Sequence, residues 1–180
     1  MNIRITGGKF RGKKLIVSGE DDFRPTKSRV REALCSSLMS RISEASCLDL
    51  CGGSGAVAFD FLSFSAGHVT VVEVDPGRCR AIQENVRHMG VSTLTVEMAS
   101  AYSFLTHTTT TFDIIFYDPP YYDRGLTDLL CQVISRLAPG GVAVFEWACD
   151  DTYAAHLCHT QAVPGKTKQY GHTCLTYFYA

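Results

Sequence analysis

Asp118-Pro119-Pro120-Tyr121, within FDIIFYDPPYY at 112–122, sets a carboxylate, two prolines and an aromatic ring in four consecutive positions. Pro119 has no N–H and biases Asp118 toward extended backbone, and Pro120 does the same to Pro119. The expected product is a stiff loop presenting a carboxylate, a row of carbonyls and the face of Tyr121. Such acceptors suit a ligand that donates hydrogen bonds, for example the exocyclic amine of a nucleobase. An unstacked base laid on Tyr121 would gain about 1–3 kcal/mol. A plain surface turn uses the same dipeptides, so the surrounding elements must decide between the two.

The apolar run Ile114-Ile115-Phe116-Tyr117 reads as a strand buried on both faces and stopped by the prolines. Asp118 then lies where open α/β sheets place their ligand crevice. A second loop supports this. CLDLCGGSGAVA at 47–58 contains Gly53-Ser54-Gly55-Ala56-Val57-Ala58, a G-x-G-x-x-A pattern, and Glu73 follows where a second strand would end. Glycines allow a sharp turn and close backbone approach, while the acid accepts hydrogen bonds from ribose hydroxyls. Nicotinamide, flavin and S-adenosylmethionine sites share that spacing. Asp49 at the end of the first strand suits a sulfonium better than a pyrophosphate, and the Asp118 loop supplies a place for a methyl acceptor. Both favour S-adenosyl-L-methionine.

From residue 47 onward strands and helices alternate: strands near 47–51, 69–74, 93–98, 112–117 and 142–147, with helices near 56–65, 77–89 and 125–137. A short helix is expected after residue 100, and the tail from 151 reads as one more helix and two strands. This is the pattern of an α/β, Rossmann-like, mostly parallel doubly wound sheet. Residues 1–41 read as a basic N-terminal extension and 42–180 as the main domain. Residues 3–17 turn on Gly7, Gly8 and Gly12 as a small hairpin, 20–23 as a flexible connection, and 27–40 as a helix capped by Thr26 or Ser28. Val30, Ala33, Leu34, Ser37 and Leu38 form its apolar stripe, and Lys27 and Arg31 share another face.

At 180 residues one domain can bury about 70% of its unfolded surface, and 46% hydrophobic with 19% charged residues fits a globular protein. No apolar run has the length of a membrane span, and the polar N-terminus lacks a signal-peptide core. Eight scattered cysteines without a CxxC pair point to a reducing compartment, the cytoplasm, and away from disulfides or zinc. His156 and His159 around Cys158 lack the second cluster a zinc site needs. Trp147 and Tyr122 read as packing residues. The net charge of −1 hides a split. Residues 1–41 carry ten Lys or Arg against four acids, and the remainder carries seven against fourteen. A basic head on an acidic body suits a polyanion-binding appendage, with Lys9, Arg11, Arg24, Thr26, Arg29 and Arg31 as its contacts.

RITGGKFRGKKL, RPTKSRVREAL, DLCGGSGA, FDIIFYDPPY and KQYGHTCLTYFY together resemble, in order and over essentially the whole length, the RsmD family of bacterial methyltransferases that modify guanine N2 in small-subunit (16S) ribosomal RNA. The DPPY loop is shared with many amino-group methyltransferases, whereas the two N-terminal motifs are more selective. The resemblance implies a class I methyltransferase fold and a monomer without metal, acting on ribosomal RNA. It makes Asp118, Pro119, Pro120 and Tyr121 catalytic. Asp49, Cys51, Gly53, Ser54, Gly55, Glu73, Asp75, Ser100, Ala101 and Asp118 become cofactor contacts. Cys51-Gly52, Phe64, Ser100 and Cys35-Ser36-Ser37 depart from that family's usual pattern. A DNA or protein amino-group methyltransferase, and a non-catalytic nucleic-acid-binding module, are the competing readings.

Overall fold

The computed structural model describes residues 2–18, 26–121 and 123–180; the expected connection at 20–23, Arg24 and Tyr122 lie outside them. The elements follow as β1 (Ile3–Arg4), β2 (Lys14–Leu15), α1 (Ser28–Ile42), β3 (Ser46–Leu50), α2 (Ala56–Ser63), β4 (His68–Glu73) and α3 (Pro76–Met89). Then come β5 (Leu94–Met98), α4 (Ala101–His107), β6 (Phe112–Tyr117), α5 (Arg124–Thr127), α6 (Leu130–Ile134), β7 (Leu137–Ala148), α7 (Thr152–Thr160), β8 (Gly165–Tyr170) and β9 (Thr173–Tyr179). The seven-stranded sheet has the order β5-β4-β3-β6-β7-β9-β8. Its first five strands are parallel, and β9 runs antiparallel between β7 and β8. Strand order reverses between β3 and β6, which opens a crevice at their carboxyl ends.

The apolar runs alternate sides of the sheet because successive strand residues point to opposite faces. Cys47, Val69, Val71, Ile114, Phe116, Val142, Val144 and Leu175 pack on one face with α1 and α2. Leu48, Leu50, Ile115, Tyr117, Phe145 and Trp147 pack on the other with α4, α6 and α7. The same parity sends Asp49, Glu73, Asp118 and Glu146 toward the α1 side. Four carboxylates therefore gather at the carboxyl ends of β3, β4, β6 and β7.

Three sequence expectations are revised by tertiary contacts. The helix expected over 125–137 is two short helices, Arg124–Thr127 and Leu130–Ile134. The Tyr117 hydroxyl takes the Leu126 carbonyl as its acceptor. The strand expected from 142 begins at Leu137, with an irregular register between Phe112 and Ile114 opposite it. Cys149 and Cys174 form a disulfide, against the expectation of unpaired cysteines. The antiparallel β7–β9 pairing sets Trp147 opposite Cys174, a long-range contact that leaves no signature in cysteine spacing.

The N-terminal segment is built into the body. Ile3, Ile5 and Leu15 join the α1-side core. Asp60 on α2 accepts from the Thr6 amide at 2.7 Å and the Thr6 hydroxyl at 2.9 Å, while the Phe10 amide donates to Ser63 Oγ at 2.8 Å. Gly8 sits at φ 69°, where a Cβ would fall 2.0 Å from the Ser63 carbonyl oxygen, so only glycine fits. Arg31 is the main departure from expectation. It is 1% exposed and its Nη1 lies 2.5 Å from Asp60 Oδ2. Its other donors reach the Arg4 and Thr26 carbonyls at 2.9 and 3.3 Å. It is a bolt between the hairpin, α1 and α2, and has no face to offer RNA. Lys27 beside it stays exposed and is the backbone N-cap of α1. Neither Thr26 nor Ser28 caps that helix through its side chain.

Candidate active site

Asp118 emerges from β6 with its amide 3.4 Å from the Leu50 carbonyl, so the loop starts between the two strands at the crevice. Thr26, at the entrance to α1, donates its hydroxyl to Asp118 Oδ2 at 3.0 Å. Thr26 thus orients the carboxylate and is not presented to a phosphate. Pro119 is buried and Pro120 exposed, and the Pro120 carbonyl accepts from the Asp123 amide at 2.9 Å, closing the loop. Tyr121 is half-buried, and its hydroxyl donates to Glu146 Oε1 at 3.3 Å. Burial, with the Glu146 and Asp118 carboxylates next, pushes the Tyr121 phenol upward. The ring stays neutral and available for stacking.

The loop after β3 uses three left-handed residues: Cys51 at φ 67°, Gly53 at 54° and Gly55 at 72°. Cys51 is not glycine, so its conformation costs about 1–2 kcal/mol that the loop's contacts must offset. Those contacts run to β4. The Gly52 amide donates to the Val72 carbonyl at 2.9 Å, and the Gly53 amide to Glu73 Oε2 at 2.8 Å. Glu73 Oε1 accepts from the Asp75 amide at 2.9 Å and lies 3.6 Å from Arg78 Nη1. Glu73 therefore fixes the glycine loop while presenting its remaining acceptor capacity to the crevice. Asp49 is buried, with Oδ2 accepting from the Ala58 amide at 3.1 Å. Its carboxyl is pushed well above the usual range, first by burial and then by neighbouring carboxylates, against the opposing Ala58 hydrogen bond.

A cavity of about 390 Å³ opens between the two loops. Cys51, Gly53, Glu73, Ser100, Ala101, Asp118, Pro119, Pro120 and Tyr121 all line it, so most of the sequence-predicted site converges there. A second, much smaller cavity shares Cys51, Gly53 and Asp118 with it and adds Asp49, Ser54 and Thr26. Gly55 and Asp75 line neither: Gly55 turns the chain into α2, and Asp75 caps α3 by accepting from the Arg78 amide. Ser100 caps α4 through the Ser103 amide and still borders the main cavity.

Sequence reasoning missed eight lining residues: Lys27, Val72, Val74, Arg78, Ala99, Leu126, Glu146 and Thr173. Glu146 had a usable signal, since an acid inside VAVFEW falls on the same face as Asp118. Val74, next to Glu73, is 65% exposed. Away from the cavity, Lys9, Arg11 and Arg29 are exposed. The Lys9 and Lys13 ammonium groups lie 5.1 and 5.0 Å from the centre of the Phe10 ring. Among the described residues no cluster of three metal-ligating side chains occurs, and no helix is long and apolar enough to cross a membrane.

The chain matches, over residues 3–179, the family described as Conserved hypothetical protein 95. It is 36% identical over 149 residues to the Escherichia coli K12 protein named Ribosomal RNA small subunit methyltransferase D, covering 83% of this chain and 71% of that one. A hypothetical protein of Thermus thermophilus superposes with a TM-score of 0.82 at 30% identity, over 99% of both chains. A T. thermophilus 16S rRNA N2 methyltransferase, solved with AdoMet and guanosine, shares the fold at 20% identity. Its TM-score is 0.77, over 99% of this chain and 49% of that one.

Proposed function

The chain belongs to the RsmD family, and from that premise we propose that it methylates small-subunit ribosomal RNA. The donor in this reading is S-adenosyl-L-methionine and the acceptor the exocyclic N2 amine of a guanine. The observation that carries it is the convergence of Glu73, Cys51 and Gly53 of the glycine loop, and Asp118–Tyr121 on one cavity. The donor set fits that cofactor. Val74, Ala99 and Ala101 offer apolar surface beside Ser100 for adenine, and Glu73 offers a carboxylate for ribose hydroxyls. The Glu73 and Asp118 carboxylates, at the ends of β4 and β6, favour a cationic group between them.

When bound, S-adenosylmethionine supplies an electrophilic methyl group on sulfonium and leaves as a neutral thioether. The protein's part is to make a poor nucleophile attack in line. The lone pair of an exocyclic amine is delocalised into the ring. Acceptance of its hydrogens by the Asp118 carboxylate and the Pro119 carbonyl draws the nitrogen toward tetrahedral geometry and stabilises the developing positive charge. Thr26 holds the carboxylate in place for this role. Tyr121 supplies the stacking face. Collinear positioning accounts for up to about 7–11 kcal/mol of the barrier. Asp118 takes the proton once the nitrogen is methylated and acidic, so it need not be a strong base. In this division of labour residues 1–41 hold RNA and 42–180 carry the transfer, with Lys9, Arg11, Arg24 and Arg29 on phosphates that set register without choosing the base.

The test is radiolabelled methyl transfer to small ribosomal subunits lacking the modification, against plasmid DNA and protein, followed by mass-spectrometric mapping of the nucleotide. Label on a guanine N2 of the small-subunit RNA, abolished in Asp118→Ala while RNA binding persists, is the expected result. Transfer to DNA or protein alone, or full activity in that variant, overturns the reading.

A further inference from the structure

Glu146 is a costly residue to place where it lies. It sits 4% exposed in a strand whose neighbours Phe145 and Trp147 are core, and carboxylates are seldom buried at such positions without a role. β6 and β7 run parallel with Tyr117 opposite Phe145, so Asp118 and Glu146 leave adjacent strands side by side and point to the same face. Both line the main cavity, together with Pro119, Tyr121 and Thr173. The Tyr121 hydroxyl donates to Glu146 Oε1, which ties the carboxylate to the ring that would carry the base.

We propose that Glu146 is a specificity-determining residue that accepts the N1–H of the target guanine. This rests on the guanine N2 reading above. The Watson–Crick edge of guanine carries two donors in sequence, the N2 amine and N1–H, followed by the O6 acceptor. With the N2 hydrogens taken by Asp118 and the Pro119 carbonyl, N1–H is the next group along that edge. A second carboxylate one strand over, held by the stacking tyrosine, is placed to receive it. Adenine presents an acceptor at N1 and would meet the Glu146 carboxylate in repulsion. The acid therefore selects guanine by attraction and excludes adenine by a clash of acceptors.

The experiment uses small subunits reconstituted with RNA carrying guanine or 2-aminopurine at the mapped position. 2-Aminopurine keeps the N2 amine but has an acceptor at N1. The wild-type chain is expected to prefer guanine in kcat/KM by about 10–100-fold, the range for a hydrogen bond to a charged group. Glu146→Gln, whose amide can donate to the bare N1 of 2-aminopurine, is expected to collapse that preference. Glu146→Ala should lower the guanine rate more than the 2-aminopurine rate. Affinity for S-adenosylmethionine, measured by calorimetry, should be unchanged in both variants. An unaltered guanine to 2-aminopurine ratio in both variants, even with lower rates, would overturn the assignment and leave Glu146 as a support for Tyr121. Wild-type protein that binds the donor but transfers nothing to guanine would overturn the guanine reading itself, and this assignment with it.

Discussion

Arg31→Ala separates a structural role from an RNA-binding one. The side chain gives Asp60 its ionic partner at 2.5 Å and also bonds the Arg4 and Thr26 carbonyls, with the pair 1% and 0% exposed. Truncation strands a buried carboxylate, which costs about 3–5 kcal/mol. At a urea slope of about 2 kcal/mol per molar, the unfolding midpoint should fall by about 1.5–2.5 M. Burial already pushes the Asp60 carboxyl upward, and Arg31 is the largest influence opposing it. Without Arg31 the folded pKa rises further above the unfolded one. The folded state then holds the extra proton, and its contribution to stability is present at low pH and lost as pH rises through the folded pKa. The deficit against wild type should therefore be smaller at acidic than at alkaline pH. Arg29→Ala, on the exposed side of the same helical turn, should stay within about 0.5 kcal/mol of wild type. Urea titrations of the three proteins at two pH values decide it. An Arg31→Ala midpoint no lower than that of Arg29→Ala would refute the account.

Thr26→Val removes the hydroxyl that orients Asp118 and should lower kcat about tenfold, leaving donor affinity unchanged by calorimetry. Asp49→Asn keeps an acceptor for the Ala58 amide but removes a carboxyl whose folded pKa is raised by burial. The wild-type protein should lose stability as pH rises above the ordinary carboxylate range, and thermal unfolding of the variant across that range should show a shallower loss. Lys9→Glu with Arg11→Glu should weaken RNA binding and flatten its salt dependence, by about 0.7 in log–log slope per lost phosphate contact. An unchanged slope in filter binding would show that the pair is only a solvated surface.

The strands around the crevice were legible because buried parallel strands write themselves as short apolar runs, and Asp118 and Glu73 were legible because each closes one. Local spacing misled where a distant segment supplied the environment. Arg31 lies four residues from Lys27, which reads as a shared charged face; the Thr6–Asp60 contact, 54 residues apart in sequence, decides that it is buried. Thr26 looks like a helix cap until the β6 loop arrives with a carboxylate for its hydroxyl. Asp75 looks like a ribose ligand by proximity to Glu73, yet it lines neither cavity and its Oδ1 caps its own helix through the Arg78 amide. Cys149 and Cys174 meet only because β9 runs back along β7.

Among the bonds that join the basic head to the transferase body are Arg31 to Asp60 and Thr26 to Asp118. One holds the interior together and the other aims the chemistry. The head is thus no cassette that could be clipped off or exchanged between enzymes to redirect them. Severing the chain at the junction would cripple folding and turnover at once, so on the proposed reading a change in which RNA is gripped must be made by altering side chains on a head that stays in place.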